Sequence, residues 1–279
     1  MKWLRPSRAV RRLTEEDRAE AQEFLAAHLL TGILAAVNLP SLSAPGQSLL
    51  AVGREPVQAV AWSGYNFVPV GSADAMGELA DYCRRRPRRA SSIVGQADVV
   101  MRLWAGLEGA WGAAREIRSA QPALVHRVPS RVAPDDRLRP ATEEDFDRVL
   151  PASAAMFLEE VGYDPMRNGS GYSAYVRGLI RQRRTYVVVE PLRGQPTVVF
   201  KADVGAVWGG LAQIQGVWTH PALRGRGLGT AGMAAVVERV AAEHAPEVSL
   251  YVNDYNLTAR RVYAKVGFRQ EDTYATILF

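Results

Sequence analysis

A glycine-rich turn in the last third of the chain carries the residue types that bind a phosphate group. The turn follows a β-branched stretch that ends near Thr219, and it leads directly into an apolar helical pattern. The first N–H groups of a helix have no intrahelical acceptor and lie at the positive end of the helix dipole, so they bind anions. Glycines let phosphate oxygens approach the backbone, and arginines add positive charge. The predicted phosphate-binding residues are Arg224, Gly225, Arg226, Gly227, Leu228, Gly229 and Thr230.

The order of these residues distinguishes the turn from two common nucleotide-binding loops. A Walker A loop is excluded because the chain contains no Gly-Lys-Ser or Gly-Lys-Thr. A dinucleotide-binding loop is disfavoured because the acidic residues that follow, Glu238 and Glu243, belong to the helical pattern itself. The arrangement is instead Arg-x-x-Gly-x-Gly, formed by Arg224, Gly227 and Gly229. It resembles motif A of the GCN5-related N-acetyltransferases (the GNAT superfamily), in which this turn holds the pyrophosphate of acetyl-CoA.

A second pattern follows over residues 249–268. Asn256 is placed to cap a helix over residues 257–266, and Gly267 is placed to end that helix. Tyr263 stands seven residues after Asn256, which is about two turns, so the two residues share a helix face. The order of a strand, Asn, Ala, Tyr and a final Gly-Phe resembles GNAT motif B. The two motifs in sequence identify residues 137–279 as similar to a GNAT domain.

The resemblance implies that an amine attacks the thioester of acetyl-CoA directly, in a ternary complex. It implies that residues 224–230 hold the pyrophosphate and that the Asn256 amide contacts the pantetheine or phosphate arm. Tyr263 would protonate the departing thiolate as the general acid. The backbone groups implied to pair with pantetheine and to polarise the thioester carbonyl belong to Val217, Trp218 and Thr219.

Several residues compete for the role of general base. Many GNAT proteins carry a glutamate on the strand before the turn, but this strand carries Gln213 and Gln215, which cannot accept a proton. Glu159 and Glu160 fall where the substrate-recognition helices of the family lie. They are candidates to bind a cationic amine or to deprotonate it, and a solvated helix end is the alternative. The further candidates are a chain of water molecules, Asp203 and Asp254.

An internal repeat predicts two related domains. The peptide Thr-Glu-Glu-Asp occurs at residues 14–17 and again at 142–145, and each copy precedes an amphipathic helical pattern. The downstream order of strands and helices also agrees between the copies. A proline-spaced stretch over residues 129–140 separates them. We expect an α/β (α+β) fold of tandem GNAT-like domains, residues 1–130 and 137–279, each a mixed, mostly antiparallel twisted sheet flanked by helices.

The first copy of the repeat lacks the phosphate-binding turn. Its counterpart is residues 68–76, where Gly71 is the only glycine, Asp74 is negative and no arginine is near. We therefore predict that the first domain does not bind CoA. This arrangement is similar to a two-domain GNAT group of high-GC Gram-positive bacteria in which the N-terminal half is degenerate.

Composition disfavours several other classes of protein. Of the 279 residues, 48% are hydrophobic and 23% are charged, which is typical of a globular domain rather than a disordered or collagen-like chain. Cys83 is the only cysteine, so no intrachain disulfide or thiolate zinc site can form, and we expect no acetyl-enzyme on it. Four histidines without an HExxH pattern predict no metal site. The early residues lack a continuous apolar segment, so we expect a cytoplasmic protein with no membrane partner.

The net charge of +5 does not by itself predict a nucleic-acid partner. Its densest cluster is the arginine-rich run over residues 84–89, which follows a predicted helix. Cations are favourable at a helix C-terminus, and no nucleic-acid-binding module accompanies the run. We therefore expect a solvated helix end there rather than a nucleic-acid site, with an acidic partner as the alternative.

Together these patterns predict an acetyl-CoA-dependent N-acetyltransferase that acts on a primary amine of a small molecule or a protein. Acetyl-CoA is the predicted cosubstrate. The alternative is an acetyl-CoA-binding regulatory protein with little or no turnover, which the missing strand glutamate favours. The acceptor, the use of other acyl groups and the oligomeric state stay open.

Overall fold

The computed structural model describes residues 10–42, 44–53 and 56–279. Its strands are β1 Arg11–Arg12, β2 Ser48–Val52, β3 Ala59–Ser63, β4 Asn66–Gly71, β5 Ser92–Gln96, β6 Glu116–His126, β7 Arg139–Pro140, β8 Thr185–Leu192, β9 Gln195–Trp208, β10 Leu211–Thr219, β11 Glu247–Tyr251 and β12 Arg269–Leu278. Its α-helices are α1 Arg18–Ala27, α2 Leu29–Ala36, α3 Met76–Cys83, α4 Ala97–Trp111, α5 Phe146–Val161, α6 Gly171–Arg181, α7 Leu228–Glu243 and α8 Leu257–Val266. Short 3-10 turns precede several of these helices.

The chain folds into two compact units. The first unit contains the described residues up to Ala123 together with Tyr251–Tyr255 and Gln270–Phe279. The second unit contains Leu124–Leu250 and Asn256–Arg269. The division thus differs from a single boundary between residues 130 and 137, because nearly all of β12 belongs to the first unit. There β12 pairs antiparallel with β5, from Tyr274 opposite Gln96 to Leu278 opposite Ser92.

The two units share one strand plan. In the first, the strand order is β1-β2-β3-β4-β5, with antiparallel ladders except for the parallel pair β4–β5. In the second, the order is β7-β8-β9-β10-β11, again antiparallel except for the parallel last pair. A helix, α3 or α7, makes the crossover into the parallel strand, as such a pair requires. This confirms the predicted mixed α/β fold.

The repeated Thr-Glu-Glu-Asp peptides open each copy in the same way. Thr14 and Thr142 each begin a capping box, and their N–H groups donate to Asp17 at 2.7 Å and Asp145 at 2.9 Å. An arginine six residues earlier also binds each aspartate: Arg11 in the first copy at 2.5 Å and Arg139 in the second at 2.6 Å. The predicted Thr caps are confirmed, and the repeat extends to these arginine–aspartate pairs.

Helix α7 is positioned by a close approach to the second unit's sheet. A Cβ atom on Gly232 would lie 2.8 Å from ring carbons of Phe200 on β9, so only glycine permits this packing. At the start of the helix, a Cβ atom on Gly229 would lie 3.2 Å from the hydroxyl oxygen of Thr219. The N-terminus of α7 is therefore held beside the end of β10.

Candidate cofactor and acceptor site

Strand β10 pairs with each of its two neighbouring strands over only part of its length. Its parallel pairing with β11 covers Leu211 to Gln213. Its antiparallel pairing with β9 is interrupted between Gln215 and Trp218, so that the two intervening residues face a single residue of β9. This is the pattern of a β-bulge, and Gly216 within it has a φ of +60°, which favours glycine. Because β11 pairs only with the first part of β10, the edge of Val217–Thr219 on that side is available to a ligand.

The glycine-rich turn after β10 is open to solvent. The backbone at Gly225 has a φ of +76° and that at Gly227 a φ of +84°, both in the left-handed region. A Cβ atom at either position would meet nothing within 4 Å, so the glycines serve the backbone conformation and leave space above it. Helix α7 begins at Leu228 with Gly227 as its N-cap. Exposed N–H groups, two exposed arginines and this open space fit a phosphate group.

The predicted residues Glu159, Trp218 and Arg224 are in direct contact. Nη2 of Arg224 donates to both carboxylate oxygens of Glu159, at 2.7 and 3.0 Å. Nε1 of Trp218 donates to the same carboxylate at 3.2 Å. Nε of Arg224 donates to the carbonyl oxygen of Thr219 at 2.9 Å. Glu159 on α5 is therefore bound to the phosphate-binding turn.

Glu160 and Tyr263 are linked electrostatically. Tyr263 on α8 is 7% exposed, and its ring packs edge-on against Phe268 at 5.7 Å. Burial, followed by the negative charge of Glu160, raises the pKa of the Tyr263 phenol above its ordinary value. The hydroxyl therefore keeps its proton at neutral pH, as a general acid must. The charge of Glu160 also adds to the raised pKa of Tyr172 on α6, after the larger effect of burial and that of Asp203 and Tyr175.

An aromatic cluster lies where α5 meets α6. Phe157 packs edge-on against Tyr163 at 5.2 Å and against Tyr172 at 5.4 Å between ring centroids. Tyr172 is tilted against Tyr175 at 6.3 Å, and its hydroxyl donates to the carbonyl oxygen of Ser153. The Tyr175 hydroxyl accepts a hydrogen bond from the Gln215 side chain. Tyr175 therefore connects α6 to β10 through Gln215, a contact that no local pattern in the sequence predicts.

The remaining predicted residues have structural partners. The Asn256 side chain accepts from the N–H of Ala259 at 3.1 Å and caps α8, and Gly267 ends that helix with a φ of +117°, so both predicted helix ends are confirmed. Both carboxylate oxygens of Asp203 are bound, one by Lys201 and one by Thr185. Asp254 belongs to the first unit.

Cys83 lies in the core of the first unit. It is 4% exposed, and burial raises the pKa of its thiol to about 12, against a smaller opposing effect of Arg86. The side chain is therefore a neutral thiol at neutral pH, which is a poor nucleophile.

Comparison with protein families agrees with these motifs. A family model described as "Acetyltransferase (GNAT) family" matches residues 184–268, which include β8 to α8 of the second unit and the glycine-rich turn. Residues 184–268 therefore form a domain of the acetyltransferase (GNAT) family. A second model, described as "Domain of unknown function (DUF4081)", matches residues 47–149. A comparison with curated proteins gives no match.

Solved structures similar to the whole chain have the same fold. A GCN5-related N-acetyltransferase from Sphaerobacter thermophilus is 15% identical, with a TM-score of 0.62 over 97% of this chain and 95% of that one. A GNAT-family acetyltransferase from Colwellia psychrerythraea is 9% identical, with a TM-score of 0.60 over 97% and 99% of the two chains. A tandem GNAT protein from the clavulanic acid biosynthesis pathway is 13% identical, with a TM-score of 0.58 over 97% and 98%. At these identities the likeness is one of fold, and it includes the tandem arrangement.

Neither a metal-ligand cluster nor a membrane-spanning helix occurs in the described residues. Over residues 10–42, 44–53 and 56–279, three or more His, Cys, Asp or Glu side chains nowhere cluster as metal ligands would. No helix in that described part of the chain is long and apolar enough to cross a membrane.

Proposed function

We propose that the protein is an acetyl-CoA-dependent N-acetyltransferase that modifies a primary amine of a small molecule or a protein. One observation carries the proposal: an open, positively charged glycine turn follows the free edge of a bulged strand in the second unit. The turn provides backbone N–H groups for a pyrophosphate, and the free edge of β10 provides backbone groups for an amide-containing arm. CoA has both features, a pyrophosphate and a pantetheine arm with two amides.

The predicted binding residues other than Thr230 have a place in this proposal. The N–H groups of residues 225–229 and the side chains of Arg224 and Arg226 would hold the pyrophosphate, whereas the Thr230 N–H donates to the carbonyl oxygen of Gly227 at 2.9 Å. The backbone of Val217–Thr219 would pair with the pantetheine arm, and Asn256, already the cap of α8, would offer its free amide N–H groups. Bound acetyl-CoA would supply an activated acetyl thioester.

The reaction then needs two proton transfers. The amine nitrogen forms a bond to the thioester carbon, the C–S bond breaks, and the amine loses one proton to a base. Tyr263 would give its proton to the departing thiolate, and its raised pKa means that the phenol carries that proton at neutral pH. Glu160 is our preferred residue for binding or deprotonating the amine, because its charge reaches both Tyr263 and Tyr172. Glu159 is the weaker candidate, because its two oxygens already accept from Arg224 and Trp218.

We assign no CoA site to the first unit. In its equivalent junction between β4 and α3, a Cβ atom on Gly71 would lie 2.6 Å from the carbonyl oxygen of Gln58 and 2.8 Å from the ring of Phe24. The junction then continues into a short 3-10 turn capped by Ser72, whose hydroxyl accepts from the Asp74 N–H. The β4–α3 junction of the first unit is therefore closely packed, whereas the β10–α7 junction of the second unit is open.

A second candidate function is an acetyl-CoA-binding regulator with little turnover. The observation that favours it is the absence of a carboxylate on β10 near the bulge, where Gln213 is buried and Gln215 is bound to Tyr175. The two candidates share the cofactor site and differ in the fate of the thioester.

Two measurements on the full chain test these candidates. Calorimetric titration with acetyl-CoA should show one binding site per chain, and the same titration of an Arg224→Gln variant should show weaker binding. A panel of primary amines is then screened for release of free CoA thiol. Release with any amine supports the enzyme, and binding without release across the panel supports the regulator. If acetyl-CoA does not bind, both proposals fail.

A further inference from the structure

A buried ion pair lies directly against the bulge of β10. Lys201 on β9 is 0% exposed, and its Nζ lies 2.6 Å from Oδ2 of Asp203, two residues later on the same face of the strand. The other oxygen of Asp203 accepts from the Thr185 hydroxyl at 2.8 Å. Lys201 is one of three lysines in a chain with 34 lysine and arginine residues. A buried ion pair is often no more stabilising than apolar residues of the same volume, so this pair calls for a role other than stability.

The Lys201 ammonium also binds the bulge itself. Its Nζ donates to the carbonyl oxygen of Gly216 at 3.0 Å. A Cβ atom on Gly216 would lie 2.7 Å from Oδ2 of Asp203 and 3.2 Å from Nζ of Lys201. With its φ of +60°, this position therefore requires glycine for two independent reasons, backbone conformation and space. The ion pair and the bulge form one close-packed unit.

The hydrogen bond to Gly216 has a consequence for the next residue. The carbonyl of Gly216 and the N–H of Val217 belong to the same planar trans peptide, so they point in opposite directions. A cation bound to the carbonyl oxygen fixes the plane of this peptide and polarises it, which makes the N–H a stronger donor. Val217 has no register partner in β9, and the β11 pairing ends at Gln213.

We propose that Lys201 is a positioning residue, which orients and polarises the Val217 N–H as the donor to the thioester carbonyl oxygen. This inference rests on the proposed function, since it names the donor that would stabilise negative charge on that oxygen during acyl transfer. A fixed backbone donor aimed at the developing charge is the arrangement by which enzymes lower the barrier for acyl transfer. Asp203 balances the buried charge, and with both oxygens bound it does not serve as the base.

The vibrational spectrum of bound acetyl-CoA tests this role without knowledge of the acceptor. Acetyl-CoA labelled with ¹³C at the thioester carbonyl is added to the wild-type full chain and to a Lys201→Met/Asp203→Asn variant, which removes both buried charges together. We expect the carbonyl stretch to lie at lower frequency on the wild type than in free acetyl-CoA, and most of that shift to be lost in the variant. The affinity for acetyl-CoA should change less than about threefold, because one of many contacts is weakened. The control is Thr185→Val, which removes a hydrogen bond to Asp203 and leaves Gly216 bound, so the shift should persist.

The outcomes separate this inference from the proposed function. If the wild type does not bind acetyl-CoA, the proposed function fails. If the wild type and the Lys201→Met/Asp203→Asn variant both bind acetyl-CoA and the carbonyl stretch has the same frequency on each, the proposed role of Lys201 is overturned. The proposed function then stands. A second variant, Lys201→Gln/Asp203→Asn, retains hydrogen-bonding groups and is measured in the same way, so that the test does not depend on the folding of the Met variant.

Discussion

Glu159 and Arg224 are joined by two hydrogen bonds, at 2.7 and 3.0 Å, although 65 residues separate them in the chain. This contact ties helix α5 to the glycine-rich turn and places a carboxylate on the arginine that we assign to phosphate. Both side chains are about half exposed, at 46% and 47%, so the pair contributes little to stability. A pyrophosphate, with more negative charge, would compete with Glu159 for the same guanidinium.

We therefore predict that Glu159→Gln tightens the binding of acetyl-CoA. Removing the competing carboxylate frees Arg224, and an exposed ion pair of this kind is worth up to about 1 kcal/mol, or up to about fivefold in Kd. Calorimetry on the wild type and the variant measures the change. Glu238→Gln, which removes an exposed carboxylate from α7, is the control for the change in net charge. A large loss of transfer with unchanged affinity would instead assign the base to Glu159.

A pair of glycine substitutions tests the backbone of the turn. Gly227→Ala should destabilise the protein by about 1–2 kcal/mol and weaken acetyl-CoA binding, because Gly227 has a φ of +84° that an L side chain rarely adopts. Gly178→Ala, the same change inside α6 and in open space, should stabilise the protein by about 0.5–1 kcal/mol. Urea denaturation and calorimetry of both variants provide the comparison. Equal behaviour of the two variants would show that the conformation of the turn has no part in binding.

Local signals in the sequence predicted much of the fold. Helix α8 runs over the predicted residues because Asn256 and Gly267 mark its ends chemically. Helix α4 ends at Trp111, because the next residue, Gly112, adopts a φ of +83°. Helix α2 was missed because its residues are apolar on all sides, which gives no helical period. Strand β6 begins at Glu116; its first five residues are partly exposed, and its last six are buried.

The contacts between residues far apart in the chain could not be predicted from the sequence. The motifs predicted the glycine turn, yet no local pattern links Glu159 to Arg224 or Tyr175 to Gln215. Lys201 was the exception that a pattern could have revealed. A lysine and an aspartate two residues apart in an otherwise apolar strand face the same side of the sheet, and a strand buried on both faces can hold them only as a pair.

We predict that Tyr263→Phe slows acetyl transfer by about 10²–10⁴-fold and leaves the Kd for acetyl-CoA unchanged, because a general acid acts only in the transfer step. Because the pKa of Tyr263 is raised above its ordinary value of 10, the wild-type rate should show no decline from loss of this proton up to pH 10. Stopped-flow measurement of thiol release, with an amine found in the panel, gives the rate. Tyr186→Phe is the matched control, since that phenol is also buried in the second unit but donates to Glu243. Unchanged turnover in Tyr263→Phe would remove this residue from the mechanism.

The repeated arginine–aspartate pair predicts a pH dependence of stability. Asp145 is 3% exposed, and the Arg139 hydrogen bonds, together with the Thr142 N–H, lower its pKa to about 2. Its pKa in the unfolded chain is about 3.9, so the folded state binds the proton more weakly. The stabilisation is therefore fully present above about pH 4 and is lost as the pH falls towards 2.

Asp145→Asn should accordingly lower the free energy of unfolding by about 1–3 kcal/mol at pH 7, through loss of a helix cap and of charge-assisted hydrogen bonds. The gap between wild type and variant should narrow as the pH is lowered from 5 to 3, because Asp145 of the unfolded wild-type chain then takes up a proton, which stabilises the unfolded state, while the folded state stays ionised. Urea denaturation across this range measures both effects. Asp17→Asn is the internal comparison: its pKa is also lowered, by the Thr14 N–H and then by Arg11, but its side chain is 23% exposed, so the effect should be smaller. A gap that stays constant with pH would mean that the carboxylate charge of Asp145 does not stabilise the fold.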